Sequence, residues 1–589
     1  MSVARSRSVP VPSPTPRRSR RALLGAALGA GALAAACARE QSHQPGSPPT
    51  PVARAPRANG AGPFGPPWRG GVVRHRIEND YANLDPHATA HASAQSVGML
   101  AYNRLLRFAV GPGEDTLGGR VIPELTTTTG EQVDGMTLVF KLREDVLFPD
   151  VPPVHGRRLT PVDVRLSFER AKAGKAGTSL AAVLSVQTPD ERTVIFKLRR
   201  PSVTLTTALA SANGLFVMPY EADVRFDPAR VTAGTGPWLL ERAEPAVQWR
   251  WKANPRYLFA GVDGRALPYA EALVDKVIPE DATATAQFHA GELDIIEMAP
   301  HDLLGLADAT PLAQVTAFPS HGFSFLGFSA RPGQPFGDAR VRRAFSMALD
   351  RRALYNVSAD TDKLAQAGFP VLTEDPAAPL PAHFKFWVNP ATRSWGQYYR
   401  YQPEEARRLL QAAAWDFTRT VPFNFTNNRY GRAYADSVEA VIQLLARIGV
   451  KLQATGHDYA SSWVDVWQRG EFDGTGYFPV ARYAEPHDYF VRLLHSKGQL
   501  NPGRLRDPVL DALIEKDDTT FDAADRQTLA AEILNRVNEQ MYIPPLSLGH
   551  AMQYNVAQPW LGNAQQFFTT STGAWYAEAF PHYWIGARE

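Results

Sequence analysis

Apolar residues recur along this chain with two different periods, and the period assigns most of its elements. Leu138, Phe140 and Leu142 alternate with Val139, Lys141 and Arg143, as a strand buried on one face requires. The stretch 194–199, Val-Ile-Phe-Lys-Leu-Arg, repeats that character. Between the two, Thr160-Pro161-Val162-Asp163 reads as a helix start, with proline at the first helical position and a carboxylate three residues after the threonine. Val164, Phe168 and Ala171 then give that helix one apolar face. A second helix is expected after Asp338, with Val341, Ala344, Phe345, Ala348 and Leu349 at helical spacing and Arg351 and Arg352 at its negative C-terminal end. Val438, Val441, Ile442, Leu445 and Ile448 mark a third, stopped by Gly449. Leu529, Ile533 and Val537 mark a fourth, begun by Asp522. Strands and helices intermingle with no repeat of fixed period. The pattern predicts an α/β chain with mixed sheets.

Length and charge change the picture in two ways. At 589 residues the chain exceeds one compact core and is expected to fold as at least two lobes. Its 62 basic and 59 acidic residues nearly balance, which excludes the concentrated basic face of a nucleic-acid binder. Past the first 40 residues no apolar stretch reaches the roughly 20 residues of a membrane-crossing helix.

The N-terminal segment carries its own signal. Basic residues at 17–21 precede an apolar stretch at 22–36, the pattern of a secretory signal. Ser19-Arg20-Arg21-Ala22-Leu23-Leu24 resembles the twin-arginine export motif, and Leu33-Ala34-Ala35-Ala36-Cys37 resembles a bacterial lipoprotein cleavage box. Cys37 is the single cysteine of the chain, so no intrachain disulfide can form, and it is the residue that acylation would modify. Residues 1–37 are therefore expected to be a lipoprotein signal. Residues 38–69, rich in Pro, Ala and Gly, are expected to be a flexible tether.

From residue 70 onward the order of several motifs resembles one family. Gly70-Gly71-Val72-Val73-Arg74, Leu84-Asp85-Pro86, the segment 102–106, TLVFKLREDVLF at 137–148 and LTPVDVRLSFERA at 159–171 follow one another. Thr235-Gly236-Pro237-Trp238, Gly291-Glu292-Leu293-Asp294, PFGDARVRRAFSMALDRRAL at 335–354, IGVKLQ at 448–453, FDGTGYF at 472–478 and IPPLSL at 543–548 complete the series. Together they are similar to the family 5 extracellular solute-binding proteins, the oligopeptide-, dipeptide- and nickel-binding group of ABC transporters, over about residues 70–560. The resemblance implies a two-lobed periplasmic-binding-protein type II fold of the large peptide-binding type, with mixed sheets and two hinge crossings. Lobe I is expected at 70–325 and 549–589, lobe II at 330–545, and the crossings near 322–331 and 543–549. It also implies a monomeric, exported carrier at the periplasm or cell surface. Such a carrier takes a peptide-like ligand between its lobes and hands it to an ABC permease, and a lipid anchor would hold it to the membrane. An exported hydrolase or a receptor outside transport remains an alternative on the same fold.

The expected ligand site departs from the family pattern. Peptide binders of the family supply an aspartate for the ligand's ammonium from a segment of the form GWxxDYxxP. Counted back from Glu485-Pro486, that place falls on Arg482 here, and Pro479 stands where the tryptophan would be. An arginine reverses the sign of the interaction and suits a carboxylate or another anion. Arg482 facing solvent or paired with Glu485 is the other reading, and a shift of the loop by one residue would bring in Asp488. From lobe I, Asp80, Tyr81, Ala82 and Asn83 resemble a strand edge that pairs with a peptide backbone. Trp463, Trp467, Tyr477 and Tyr483 lie in the region expected to face the cleft, as aromatic walls or as core.

Catalytic and metal chemistry find no matching motif: no G-x-S-x-G, no H-E-x-x-H and no Walker phosphate loop is present. His87 and His91 are four residues apart but lack a neighbouring third ligand. Asp517-Asp518 reads as a solvated face and Glu404-Glu405 as the first turn of a helix. No enzyme activity, cofactor or metal is expected.

Overall fold

The computed structural model describes residues 67–88, 92–114, 119–174, 179–319, 323–371, 380, 388–480, 483, 485–501, 503–546, 552–567 and 578–587. The segment expected as a lipoprotein signal, including Cys37, and the expected tether before residue 67 lie outside that set. All of the described residues belong to one compact unit.

Two mixed sheets organise it. The first has seven strands in the spatial order Trp238–Glu244, Gln248–Ala253, Ala272–Val277, Val72–Ile77, Ile295–Glu297, Met552–Ala557 and Gln314–Pro319. Val72–Ile77 runs parallel to both of its neighbours, and the remaining pairs are antiparallel. The second has five strands in the order Lys451–His457, Thr420–Thr426, Thr475–Val480, Phe323–Phe328 and Pro545–Leu546. A smaller antiparallel sheet of Glu131–Asp134, Thr137–Lys141, Thr193–Leu198 and Val183–Gln187 completes the first half of the chain. There Leu138 faces Phe196 and Phe140 faces Val194, the cross-strand pairs that the alternating patterns predict.

The five-stranded sheet is covered on both faces, and its central strands read accordingly. Every residue of Phe323–Phe328 and of Thr475–Val480 is buried. The strand period of two sends Phe323, Phe325, Phe478 and Val480 to one core and Leu326, Phe328 and Tyr477 to the other.

The helix starts follow local chemistry. Asp338 accepts from Arg340 N at 2.8 Å, Asp522 accepts from Ala524 N and Asp525 N at 2.9 Å, and the Asp163 carboxylate accepts from Thr160 N at 2.8 Å. One expected helix is two. It spans Ala339–Met347, and Asp350 then caps a separate helix, Arg351–Ala359, by accepting from Ala353 N at 3.0 Å. Arg351 is thus the first residue of a new helix. It is buried, and its guanidinium donates to the Pro545, Tyr399 and Ser346 carbonyls.

The chain passes from the first sheet to the second between 319 and 323 and returns between 546 and 552. Two details differ from the expected lobe limits. The strand Phe323–Phe328 lies wholly in the second sheet, so residues 323–325 part from the lobe I sheet. The segment around Leu364 and Phe369 lies within the expected lobe II, yet it packs against Phe288, Leu293 and Tyr554 of the first sheet's layer. Tyr554 Oη donates to Pro370 O at 2.6 Å across that contact.

Candidate ligand-binding cleft

The segment 80–83 is a turn outside any strand. Ala82 N donates to Asp80 O at 3.1 Å, and Asn83 Oδ1 accepts from Asp85 N at 2.8 Å. The Asp80 carboxylate is taken by Tyr81 N, Ala246 N and Trp249 Nε1 at 2.8, 2.7 and 2.6 Å. Tyr81 is buried with its ring edge against Trp249, and its hydroxyl donates to Asp275 Oδ2 at 2.9 Å. Asp275 is fully buried and also meets His75 Nδ1 at 2.9 Å and Trp251 Nε1 at 3.1 Å. Burial, then the Asp275 carboxylate, push the Tyr81 phenol well above its usual range. The segment 80–83 thus forms no strand in this structure: Asp80 and Tyr81 serve the core, and only Ala82 is exposed.

In the second sheet's body the expected aromatic wall is interior. Trp463 is fully buried, stacked on Phe478 with ring centres 5.0 Å apart, and its Nε1 meets no hydrogen-bond partner among the described residues. Trp467 sits edge-on to Phe478 at 5.7 Å and donates to Leu500 O at 3.2 Å. Tyr477 stacks on Tyr434 at 4.9 Å, and burial pushes its phenol up to about 12. All three are core in this conformation.

Arg482 lies outside the described residues, but its surroundings are engaged. The Glu485 carboxylate pairs with Arg526. His487 Nδ1 lies 2.8 Å from Asp517 Oδ2, and Asp517 also meets Arg526 Nε at 3.4 Å. Tyr483 N donates to Tyr489 Oη at 3.0 Å, and the Arg492 guanidinium lies 5.0 Å over the Tyr483 ring. Asp488 is 28% exposed and is held by Arg492 through one long contact of 3.4 Å.

Two side chains from this region reach the other body. Arg492 Nη2 donates to Ser179 Oγ at 2.9 Å. Asp518, at the end of the helix Pro508–Thr519, accepts from Ser202 Oγ at 2.9 Å and Thr204 Oγ1 at 2.7 Å and pairs with Arg200, while its carbonyl accepts from Val203 N at 2.8 Å. The solvated-face reading of Asp517-Asp518 is thus corrected: both are buried, at 1% and 2% exposure. Burial alone would raise the Asp518 carboxyl, but His487, Thr204, Arg200 and Ser202 hold it below the usual range. Burial alone would lower His487, and Asp517, Asp518 and Asp488 outweigh it and raise the imidazole. A sequence signal for this latch was present: two acids in the last helical turn oppose the helix dipole and need cations nearby.

A further cationic group escaped the sequence reading. Thr420–Thr426 and Lys451–His457 run parallel, and the crevice beyond the carboxyl ends of parallel strands is where open α/β sheets bind ligands. There Arg429 is half-buried, with its guanidinium 4.1 Å over the Tyr459 ring and 5.5 Å from that of Tyr430. No carboxylate among the described residues pairs with it. Tyr430 is held at φ +68°, a conformation that costs a non-glycine residue about 1–3 kcal/mol.

His87 is buried, and burial pushes its imidazole down to about 4. His91 lies outside the described residues, and among the described residues no three His, Cys, Asp or Glu side chains gather as a metal site. Glu404 and Glu405 occupy the first turn of Pro403–Ala412.

Two sheets joined by two crossings and latched at a distance from them define a two-lobed binding protein of the periplasmic type. The solved structure of the oligopeptide-binding protein AppA of Bacillus subtilis with a nonapeptide has this fold, with a TM-score of 0.71 at 16% identity, covering 89% of this chain and 100% of AppA. The family model for bacterial extracellular solute-binding proteins, family 5, matches residues 120–501, and this chain belongs to that family. A relative from Brucella ovis, named as an ABC transporter peptide-binding protein, is 24% identical over 346 residues, 56% of this chain and 59% of that protein. The chain thus spans less than two thirds of that relative. The glutathione-binding protein GsiB of Salmonella typhimurium is 24% identical over 411 residues, 67% of this chain and 71% of GsiB.

Proposed function

We propose that this protein is the substrate-binding component of an ABC-type importer, taking a peptide-like ligand between two lobes and delivering it to the membrane permease. The observation that carries this is the latch: Asp518 and Arg492 bond to residues of the other body and tie the two lobes together. A ligand that adds contacts on both sides shifts the population toward that state. The lobes are the bodies of the two sheets, 70–319 with 552–589 and 323–546, with the segment around 361–371 leaning on the first. The protein binds without turnover. Twin-arginine export and acylation of Cys37 would tether it outside the cytoplasmic membrane.

The ligand is anionic or blocked at its amino end. Arg482 replaces the family's aspartate in sequence, and Arg429 offers a second guanidinium that no carboxylate among the described residues pairs with, suited to a carboxylate or phosphate group. Thermal unfolding with matched peptides, free and N-acetylated, beside small dicarboxylates tests this. Ligand at about a hundred times its dissociation constant adds about 2.7 kcal/mol. Stabilisation by acetylated or anionic ligands, reduced by Arg429→Gln, is the expected result. Equal stabilisation by free peptides would overturn the anionic reading while keeping the carrier. Failure of every peptide-like ligand would overturn the peptide class itself.

A further inference from the structure

A small cavity of ≈ 50 Å³ lies inside the second lobe, lined by Phe328, Ser329, Phe336, Arg342, Leu493 and Tyr542 among others. Spaces of this kind hold one water once they reach about 10–15 Å³. Its walls are mostly hydrocarbon, with one charged group. Arg342 is 6% exposed, and among the described residues no carboxylate lies within ion-pairing distance of it. Its guanidinium donates Nε to Gln540 O at 2.9 Å and Nη1 to Phe336 O and Gly337 O at 2.6 and 3.1 Å. Carbonyls satisfy donors but do not neutralise a cation, and Nη2 makes no hydrogen bond to the described residues. The nearby acids are committed elsewhere: Asp338 to Arg340, and Asp507 to Arg536 and the Tyr542 hydroxyl.

The other polar liner points to the same occupant. Ser329 is 2% exposed and accepts from Arg331 N at 3.4 Å, which leaves its hydroxyl proton to donate. Asn501 turns its amide nitrogen to the His495 and Leu505 carbonyls. Tyr542 turns its hydroxyl to Asp507. The space therefore offers a buried positive charge and spare donors among aromatic and aliphatic side chains. Such a site suits an ion that accepts hydrogen bonds, donates none and is weakly hydrated.

We propose that this cavity is a binding site for one small monovalent anion of halide size, held by Arg342 and Ser329. Its place gives it a role. Phe328 ends the first strand after the outgoing crossing, and Tyr542 and Ile543 lead into the last strand before the return. The cavity lies at the end of these paired strands away from the crossings, so the anion braces the interior of the second lobe. This inference does not depend on which ligand the cleft takes.

Crystals of the full chain grown with sodium bromide test it directly. An anomalous peak in the cavity, within hydrogen-bonding reach of Arg342, is the expected result. Water-like density without an anomalous signal there, in a crystal showing bromide elsewhere, overturns it. In solution, unfolding is compared in sodium chloride and sodium gluconate at matched ionic strength. A saturable rise in midpoint with chloride is expected, lost in Arg342→Gln and reduced in Ser329→Ala. Ser329→Ala keeps the cation and its carbonyl bonds, so it remains informative if Arg342→Gln does not fold. A midpoint independent of halide overturns the proposal.

Discussion

Arg492 Nη2 donates to Ser179 Oγ at 2.9 Å, and this bond joins two bodies that share no sheet. The same guanidinium covers the Tyr483 ring and touches Asp488, so one side chain links Tyr483 and Asp488 to Ser179 of the other lobe. Asp518 repeats the arrangement one helix away.

Replacing Asp518 with alanine removes an acceptor shared by Ser202 and Thr204 and the partner of Arg200. Hydrogen bonds to a buried charged group contribute about 1.5–3 kcal/mol. Asp518→Ala is expected to favour the open state and weaken ligand binding by about tenfold or more. Calorimetric titration measures the affinity and solution scattering the opening; unchanged values in both would show that the latch contributes nothing to closure.

The His487 imidazole is raised by its acidic neighbours, and the sign of its linkage follows. A raised basic group contributes stability that is fully present below its unfolded value of 6.5 and is lost as pH rises through the higher folded value. Arg526 and Glu485 complete the surroundings. Denaturant unfolding of the wild type and His487→Gln should differ most at about pH 5–6 and converge toward alkaline pH. A gap that widens with pH would show that the neutral imidazole is the stabilising form.

Tyr81→Phe separates core from cleft. It deletes one of three donors to the buried Asp275 carboxylate and should cost about 1–3 kcal/mol of stability. Ligand affinity should stay the same, because the hydroxyl is directed into the lobe. A loss of affinity without loss of stability would return Tyr81 to the ligand site.

Gly474, within FDGTGYF, has φ +82°, and a Cβ there would lie 2.2 Å from Pro422 O. Backbone cannot yield as a flexible side chain does. Gly474→Ala is therefore expected to destabilise by more than about 1 kcal/mol, read as a lowered unfolding midpoint; a midpoint equal to the wild type would mean that the turn adjusts freely.

The local grammar of the fold was legible where a single residue type decides it. Asp338 and Asp522 each begin a helix because a short polar side chain meets free backbone N–H groups, and at the helix after Thr160 the Asp163 carboxylate takes the Thr160 N–H. Gly449 ends one at φ +89°. Family resemblance carried the rest of the architecture. What escaped was long-range pairing. Arg351 and Arg352 read as the end of the helix begun at Asp338; instead Asp350 caps a second helix, and Arg351 reaches Pro545 O, far along the chain. Asp517 and Asp518 resembled exposed acids because their partners lie at 487, 526 and 200–204. Trp463 and Trp467 have the spacing of either core or cleft, and only Phe478, brought in by strand pairing, makes them core.

Ser324 faces Leu546, and Phe325 faces Pro545, across antiparallel neighbours in the five-stranded sheet. Partners across such a ladder have Cα atoms about 5 Å apart. The stretch 323–546 thus begins and ends at one spot, which makes it an insertion carried by the rest of the chain rather than a second half appended to it. A short linker could close the gap left by its removal, and another module with adjacent termini could be seated in its place without rethreading the host. The same adjacency lets the insertion diversify its pocket while the host's sheet keeps its own register.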